Sequence, residues 1–187
     1  MALTHSGTQS LGMTAPPFRL WNPLLEIWQS LDQLRGEKAT VIMFICNHCP
    51  YVKHILPGLV AFARNVQNDQ VKLVAINAND VSQYPEDHPD KMRRIAQAQH
   101  FPFPYLYDET QAVARAYGAQ CTPDFYVFDQ QLMCVYRGQM DDARPGNDLP
   151  VTGSDLRAAI DFLISGQPVP KAQKPSIGCG IKWKSPS

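Results

Sequence analysis

The sequence predicts an α/β fold, a central mixed β-sheet flanked by helices and followed by an extended C-terminal tail. Three observations predict it. Short β-branched apolar runs alternate with segments whose apolar residues recur at helical spacing. Two late strand-like runs, 125–129 and 133–137, flank a turn at Gln130-Gln131 and are followed by one more helical segment. Cys46-Asn47-His48-Cys49-Pro50 stands where one strand gives way to a helix, the place where open α/β sheets build their sites.

In chain order, residues 1–12 are polar and read as loose. Ala15-Pro16-Pro17-Phe18-Arg19-Leu20 reads as an extended lead-in, because each Pro holds its predecessor away from the helical region. Residues 32–37 read as a polar connection. Residues 40–45 form a short, bounded, β-branched run, the pattern of a strand buried on both faces. Val52, Ile55, Leu56, Leu59, Val60, Ala63 and Val66 predict a helix over 50–65. Pro57 inside it predicts a kink.

Residues 71–77 form a second buried-type strand, ending in the polar turn Asn77-Ala78-Asn79-Asp80. Residues 84–89 are Pro-rich and acidic and lead into a helix over 89–99. Residues 102–107 are extended. Asp108 is placed to cap a helix over 109–117, with Gly118 as its stop. Ser154 is placed to cap the last helix through Ile164, ended by Gly166. The tail, 167–187, is rich in Pro, Gly and Lys. The expectation is one domain over 1–187, with its core over about 12–165.

The 187 residues suffice for one well-buried domain. Lys+Arg and Asp+Glu balance at 17 each, so no charge excess points to nucleic acid or an anionic membrane. No run reaches the ~20 apolar residues of a membrane helix. Residues 1–13 lack the charged start and apolar stretch of a signal peptide. These features predict a cytoplasmic protein. The five cysteines, Cys46, Cys49, Cys121, Cys134 and Cys179, are an odd number. In a reducing compartment that argues for a reactive pair plus spare thiols, not a structural disulfide framework.

A C-x-x-C pair at a helix start can cycle between dithiol and disulfide, because the unpaired N–H groups and positive dipole end there stabilise a thiolate. Strand, C-x-x-C, helix is the usual sign of a thioredoxin-like redox site. In this reading Cys46, at the strand end and the more exposed, is the nucleophile. Cys49, one turn deeper, resolves the mixed disulfide. His48 between them is a donor or cation beside the thiolate, which makes the disulfide more oxidising. The same residues also read as a solvated spacer and an incidental pair.

Several motifs together resemble one family. They are Ala15-Pro16-Pro17-Phe18-Arg19-Leu20, Asp108-Glu109-Thr110, Val113-Ala114-Arg115-Ala116-Tyr117-Gly118, Thr122-Pro123 and Tyr136-Arg137-Gly138. With the cysteine pair they resemble the thioredoxin superfamily, and within it the peroxiredoxin-like AhpC/TSA branch, over about residues 12–165. A narrower resemblance is to peroxiredoxin-like proteins carrying C-N-H-C-P-Y-V and a tail like Pro175-Ser176-Ile177-Gly178-Cys179-Gly180-Ile181-Lys182-Trp183. The resemblance implies a thioredoxin-like fold. It also implies a cis bond between Thr122 and Pro123, facing the cysteines, with backbone free to pair with an extended substrate. Two departures from the peroxiredoxin pattern favour dithiol exchange over peroxide reduction. If Cys49 takes the peroxidatic position, Cys46 stands where that branch carries its Thr. The thiolate-activating Arg has no assigned counterpart beyond the candidates Arg115 and Arg137.

The expected function is therefore a thiol–disulfide oxidoreductase using Cys46 and Cys49, with Thr122 and Pro123 as the substrate-binding segment and no cofactor. Its partners are a protein or small-molecule disulfide and an unidentified reductant, and its expected state is a monomer or weak homodimer. The first alternative is an antioxidant thiol peroxidase in which Cys49 or Cys46 forms a sulfenic acid. The second is a redox-sensing or metal-binding protein, with His48, His54 and Cys179 as further ligands. Cys121, Asn79 and Cys179 are accessory candidates. Cys121 adjoins Thr122-Pro123. Asn79 ends a strand on the cysteine edge, where it either bonds the active-site loop or shapes a turn. Cys179, between Gly178 and Gly180, either resolves a sulfenate or pairs with Cys46, or it is incidental to a tail docked by Ile177, Ile181 and Trp183. Cys134 reads as core. The acidic stretch Glu86-Asp87-His88-Pro89-Asp90 reads as a loop leading into a helix.

Overall fold

A strand buried on both faces has no polar side, and the run at 40–45 has none. The computed structural model, which describes residues 3–7 and 11–185, places it as β4 (Ala39–Phe44) at the inside of a seven-stranded sheet. Every β4 residue is buried. Its side chains alternate between two cores, as strand geometry requires. Val41, Met43 and Ile45 join one core with residues of α2 (Pro50–Val66) and α5 (Ser154–Ile164). Ile42 and Phe44 join the other with Ala114 and Tyr117 of α4 (Ala112–Tyr117).

Around β4 lie β5 (Val71–Asn77) and β8 (Asp124–Phe128); β6 (Tyr105–Tyr107) flanks β5, and β9 (Cys134–Gly138) flanks β8. The far edge is made by β2 (Arg19–Asn22) and β3 (Ile27–Ser30), giving the order β3-β2-β6-β5-β4-β8-β9. β4, β5 and β6 run parallel, and the other pairings are antiparallel. The hairpin expected at Gln130-Gln131 is the β8–β9 pair. A second, three-stranded sheet joins β1 (Leu3–His5), β10 (Ile177–Gly180) and β7 (Cys121–Thr122) in the order β1-β10-β7. Two further helices, α1 (Leu31–Leu34) and α3 (Pro89–Ala98), complete the fold. This is the mixed, helix-flanked sheet that the sequence predicts.

Several local expectations are corrected. Residues 3–5, read as loose, are a strand, because β10 offers them a partner: Leu3 pairs with Cys179 and His5 with Ile177. Residues 1–2 and 8–10 of that segment, and 186–187 of the tail, lie outside the described residues. Residues 19–30 form a β-hairpin that the sequence did not announce. Its turn is built on Asn22, whose Oδ1 accepts from the N–H groups of Leu24 and Leu25, and on Glu26 at φ 56°. Within 32–37, read as a connection, α1 forms on a Ser30–Gln33 capping box.

Helix α4 begins at Ala112, not at 109, because Gln111 turns left-handed at φ 63°. Asp108 still serves the helix start, accepting from Ala114 N at 2.8 Å. Ser154 lies inside α5 and caps nothing. Gly153, at φ 70°, holds the cap position, and a Cβ there would meet the Phe62 ring at 2.5 Å. Asp141 Oδ2 takes the N–H groups of Thr152 and Gly153 instead. Helix α2 continues across Pro57. Among the described residues no helix is long and apolar enough to cross a membrane.

Candidate active site

The β4 strand ends two residues before Cys46, and α2 starts one residue after Cys49. Cys49 holds the N-cap position in extended conformation (φ −64°, ψ 124°), and Pro50 opens the first turn, where its missing N–H leaves nothing unpaired. The thiol is thus set at the positive end of a 17-residue helix. All five cysteines are in the thiol form, and all five are buried. Cys46 is 2% exposed and Cys49 0%, so both thiols are buried and Cys46 is the more exposed by a narrow margin.

The two thiols differ in electrostatics, and in the opposite sense to the sequence reading. Cys49 is lowered to about 5. The largest cause is a hydrogen bond from the Cys46 thiol. The Cys179 thiol and the N–H groups of Val52 and Cys179 add to it against the cost of burial. Cys46 is raised well above its ordinary value, by burial first, then by its bond to Cys49 and the charges of Asp87 and Cys49. Of the two thiols, Cys49 is the one whose surroundings favour the thiolate and Cys46 the one whose surroundings favour the proton.

Thr122 and Pro123, where β7 gives way to β8, close the site against both thiols. Their peptide bond is cis. The Thr122 hydroxyl lies 3.2 Å from Cys46 Sγ, and its carbonyl lies 3.2 Å from Cys49 Sγ. A hydroxyl does face Cys46, supplied by a segment distant in sequence. The Thr122 backbone is not free: it pairs antiparallel with Cys179 of β10. Beside Cys46, a cleft of about 10 Å³ lined by Asn47, Lys53, Phe101 and Tyr105 has room for a water-sized molecule.

His48 is held by Asp87 beside Cys46. Its Nδ1 lies 2.5 Å from Asp87 Oδ2, its ring stacks on Tyr84 at 5.0 Å, and its buried Nε2 has no partner among the described residues. Asp87 is fully buried and accepts from Asn47 N at 2.6 Å and from Asn79 Nδ2 at 2.8 Å. Sequence reasoning left Asp87 in a solvated acidic loop. The signal available was Asn47-His48, two polar residues between cysteines that need a partner if buried. Cys46, His48 and Asp87 bring a sulfur, a nitrogen and an oxygen within 4.8 Å of one another. The Asp87 oxygens there already accept from Asn47, Asn79 and His48, so a metal would have to displace protein donors.

The accessory candidates divide. Asn79 links the site to the tail: Nδ2 donates to Asp87, and Oδ1 accepts from Lys182 N at 2.8 Å. Cys121 is buried, with its thiol raised by burial, toward Pro123 O. Cys134 is core. Cys179 meets Cys49, not Cys46, with the two sulfurs 2.9 Å apart. From Ser176 to Trp183 the tail is docked. Trp183 lies 4.4 Å from the Arg115 guanidinium, Ile181 is buried, and Gln111 bonds the backbone of Lys182 and Lys184. His54 is not among the groups near the thiols; its Nε2 is buried without a partner among the described residues. Arg115 stacks on Trp183, and Arg137 pairs with the buried Asp124 at 3.0 Å.

Residues 11–137 match the AhpC/TSA family. Over 100 residues the chain is 30% identical to thiol-disulfide oxidoreductase YkuV of Bacillus subtilis (strain 168), covering 53% of this chain and 65% of that protein. An uncharacterised conserved protein from Geobacillus kaustophilus is 55% identical, with a TM-score of 0.97 over 100% of this chain and 99% of its own. The thioredoxin domain of a thiol-disulfide oxidoreductase from Bacteroides vulgatus, at 15% identity, shares the fold, with a TM-score of 0.60 over 82% of this chain and 97% of its own. The chain belongs to the AhpC/TSA family and has a thioredoxin-like fold.

Proposed function

We propose that the protein is a thiol–disulfide oxidoreductase whose working pair is Cys46 and Cys49. The observation that carries this reading is the second cysteine itself. Cys46 stands where a one-cysteine peroxidase would need a hydroxyl, and it donates its proton to a thiolate held at a helix N-terminus. A thiolate of the pair attacks one sulfur of the substrate disulfide; that S–S bond breaks, a mixed disulfide forms, and the other substrate sulfur leaves as a thiol. The other thiol of the pair attacks the enzyme sulfur of that bond, releasing the substrate thiol and leaving Cys46–Cys49 oxidised. A separate reductant returns the pair to the dithiol.

Thr122 and Pro123 line the pair on the substrate side, with the Thr122 backbone held by Cys179 of β10, and His48, held by Asp87, lines the site beside Cys46. A stabilised thiolate makes the disulfide the more oxidising form. The partner is a protein or small-molecule disulfide in a reducing, cytoplasmic setting.

The second reading, a thiol peroxidase, is favoured by the Thr122 hydroxyl 3.2 Å from Cys46 Sγ and by the water-sized cleft beside it. Turnover assays with a protein disulfide and with hydrogen peroxide separate the two. The expected result is catalysed disulfide reduction in the wild type, lost in both Cys46→Ser and Cys49→Ser. Peroxide consumption that persists in Cys46→Ser, with no disulfide reduction by any form, would overturn the proposal in favour of the peroxidase.

A further inference from the structure

The C-terminal strand occupies the place that the proposed function reserves for a substrate. β10 pairs antiparallel with β7, Cys179 opposite Thr122 and Gly180 opposite Cys121, directly before the cis Thr122–Pro123 bond. The fit is tight. A Cβ on Gly178 would lie 2.0 Å from the Thr122 carbonyl oxygen, so only glycine admits this approach. The other edge of β10 is held by β1, and Ser176 and Ile181 are tied by Ser6 and Gln120 on either side. Register, not chance contact, therefore sets the Cys179 sulfur 2.9 Å from Cys49 Sγ. That is about 0.9 Å beyond an S–S bond length.

We propose that Cys179 is a third redox thiol of the site, which exchanges into the Cys46–Cys49 disulfide so that the oxidised protein holds a Cys49–Cys179 disulfide and a Cys46 thiol. The step rests on the Cys46/Cys49 reading above. The Cys179 sulfur attacks Cys49 Sγ. The Cys46–Cys49 bond breaks, the Cys49–Cys179 bond forms, and Cys46 leaves as a thiolate. The proton that Cys179 gives up is taken by Cys46. No electron enters or leaves, so no further oxidant or reductant is needed.

The electrostatics run in the same direction. In the dithiol state burial, the bond to Cys49 and the Cys49 charge push Cys179 up to about 12, so it is a proton donor and not a nucleophile. Oxidation of Cys49 removes that charge and that bond, while Lys182 still pulls the other way. Burial still raises the thiol, but with the charge and the bond gone Cys179 is a better nucleophile after Cys49 is oxidised than before. Cys46, which burial and Asp87 disfavour as an anion, is the better proton acceptor after the exchange. The product disulfide ties β10 to the start of α2 and returns Cys46 to the thiol form.

The test is disulfide mapping of the full chain after mild oxidation with diamide, alkylation under denaturing conditions and non-reducing peptide analysis. In the wild type the expected majority product is Cys49–Cys179 with Cys46 alkylated. In Cys46→Ser the same disulfide forms directly and accounts for the loss of two alkylatable thiols. A disulfide confined to Cys46–Cys49 in the wild type, with Cys49 and Cys179 both alkylated in Cys46→Ser, would overturn the role of Cys179 and leave the dithiol reading standing. Absence of any disulfide at Cys46, Cys49 and Cys179 would overturn both.

Discussion

Titrating the reduced protein by thiolate absorbance at 240 nm is expected to show one thiolate forming with a midpoint near pH 5, assigned to Cys49. An unperturbed thiol titrates near ~8.5, so at neutral pH the folded chain holds an anion that the unfolded chain does not. Absorbance suits the site because Cys49 is wholly buried and an alkylating reagent would report access as much as charge. In Cys49→Ser the pH 5 step should vanish. In Cys46→Ala it should move upward, because the hydrogen bond from the Cys46 thiol is the largest single cause of the shift.

The same ionisation sets a pH dependence of stability. The folded value of Cys49 lies below its unfolded value. Its contribution is therefore complete above pH ~8.5 and lost as pH falls through about 5. Cys46 works the other way: its folded value is raised, so its contribution is present below pH ~8.5 and lost as pH rises above it. The difference in unfolding free energy between wild type and Cys49→Ser should grow from pH 5 toward 8.5. A flat difference across that range, with no thiolate below pH 8, would contradict the charge assignment.

The second large effect is expected at Asp87. Its carboxylate gathers Asn47 N, His48 Nδ1 and Asn79 Nδ2 in a place with no exposure to solvent. Asp87→Ala removes the acceptor and leaves donors buried, at roughly 1–3 kcal/mol for each one that water cannot reach. Asn79 is the clearest case, since it is itself buried and also holds Lys182 of the tail. Urea unfolding should show a midpoint well below the wild type. The Cys46 ionisation should fall, because a negative charge that opposes its thiolate is gone. Both readouts are needed: a purely structural role moves stability alone. Unchanged values of both would sink the assignment.

Much of the fold could be read from the chain, and the reason is local. β4, β5 and α2 carry their own signal, because a strand buried on both faces must be apolar throughout and a packed helix must repeat its apolar residues. The junction holding Cys46 and Cys49 follows from those elements. What escaped depends on partners far away in sequence. Asp87 is acidic, flanked by Pro85 and Pro89, and looks solvated until His48, 39 residues earlier, is folded over it. Ile177-Gly178-Cys179-Gly180 has almost no strand propensity. It becomes a strand because β1 and β7 provide edges on both sides. The start of α4 moved because Gln111 adopts a left-handed conformation that no composition rule assigns to Gln. The Gly-Cys-Gly sequence was a usable hint, since glycines on both sides of a cysteine fit a backbone brought close to another chain segment.

The central claim is that Cys49 belongs to a reversible two-electron thiol couple. Its most direct test is equilibration of the protein in glutathione redox buffers, followed by alkylation and mass spectrometry with the disulfide mapped. The account predicts a reversible loss of two alkylatable thiols, always including Cys49, paired with Cys46 or Cys179. Cysteines that all remain alkylatable under the most oxidising buffer, or a disulfide that leaves Cys49 out, would contradict it.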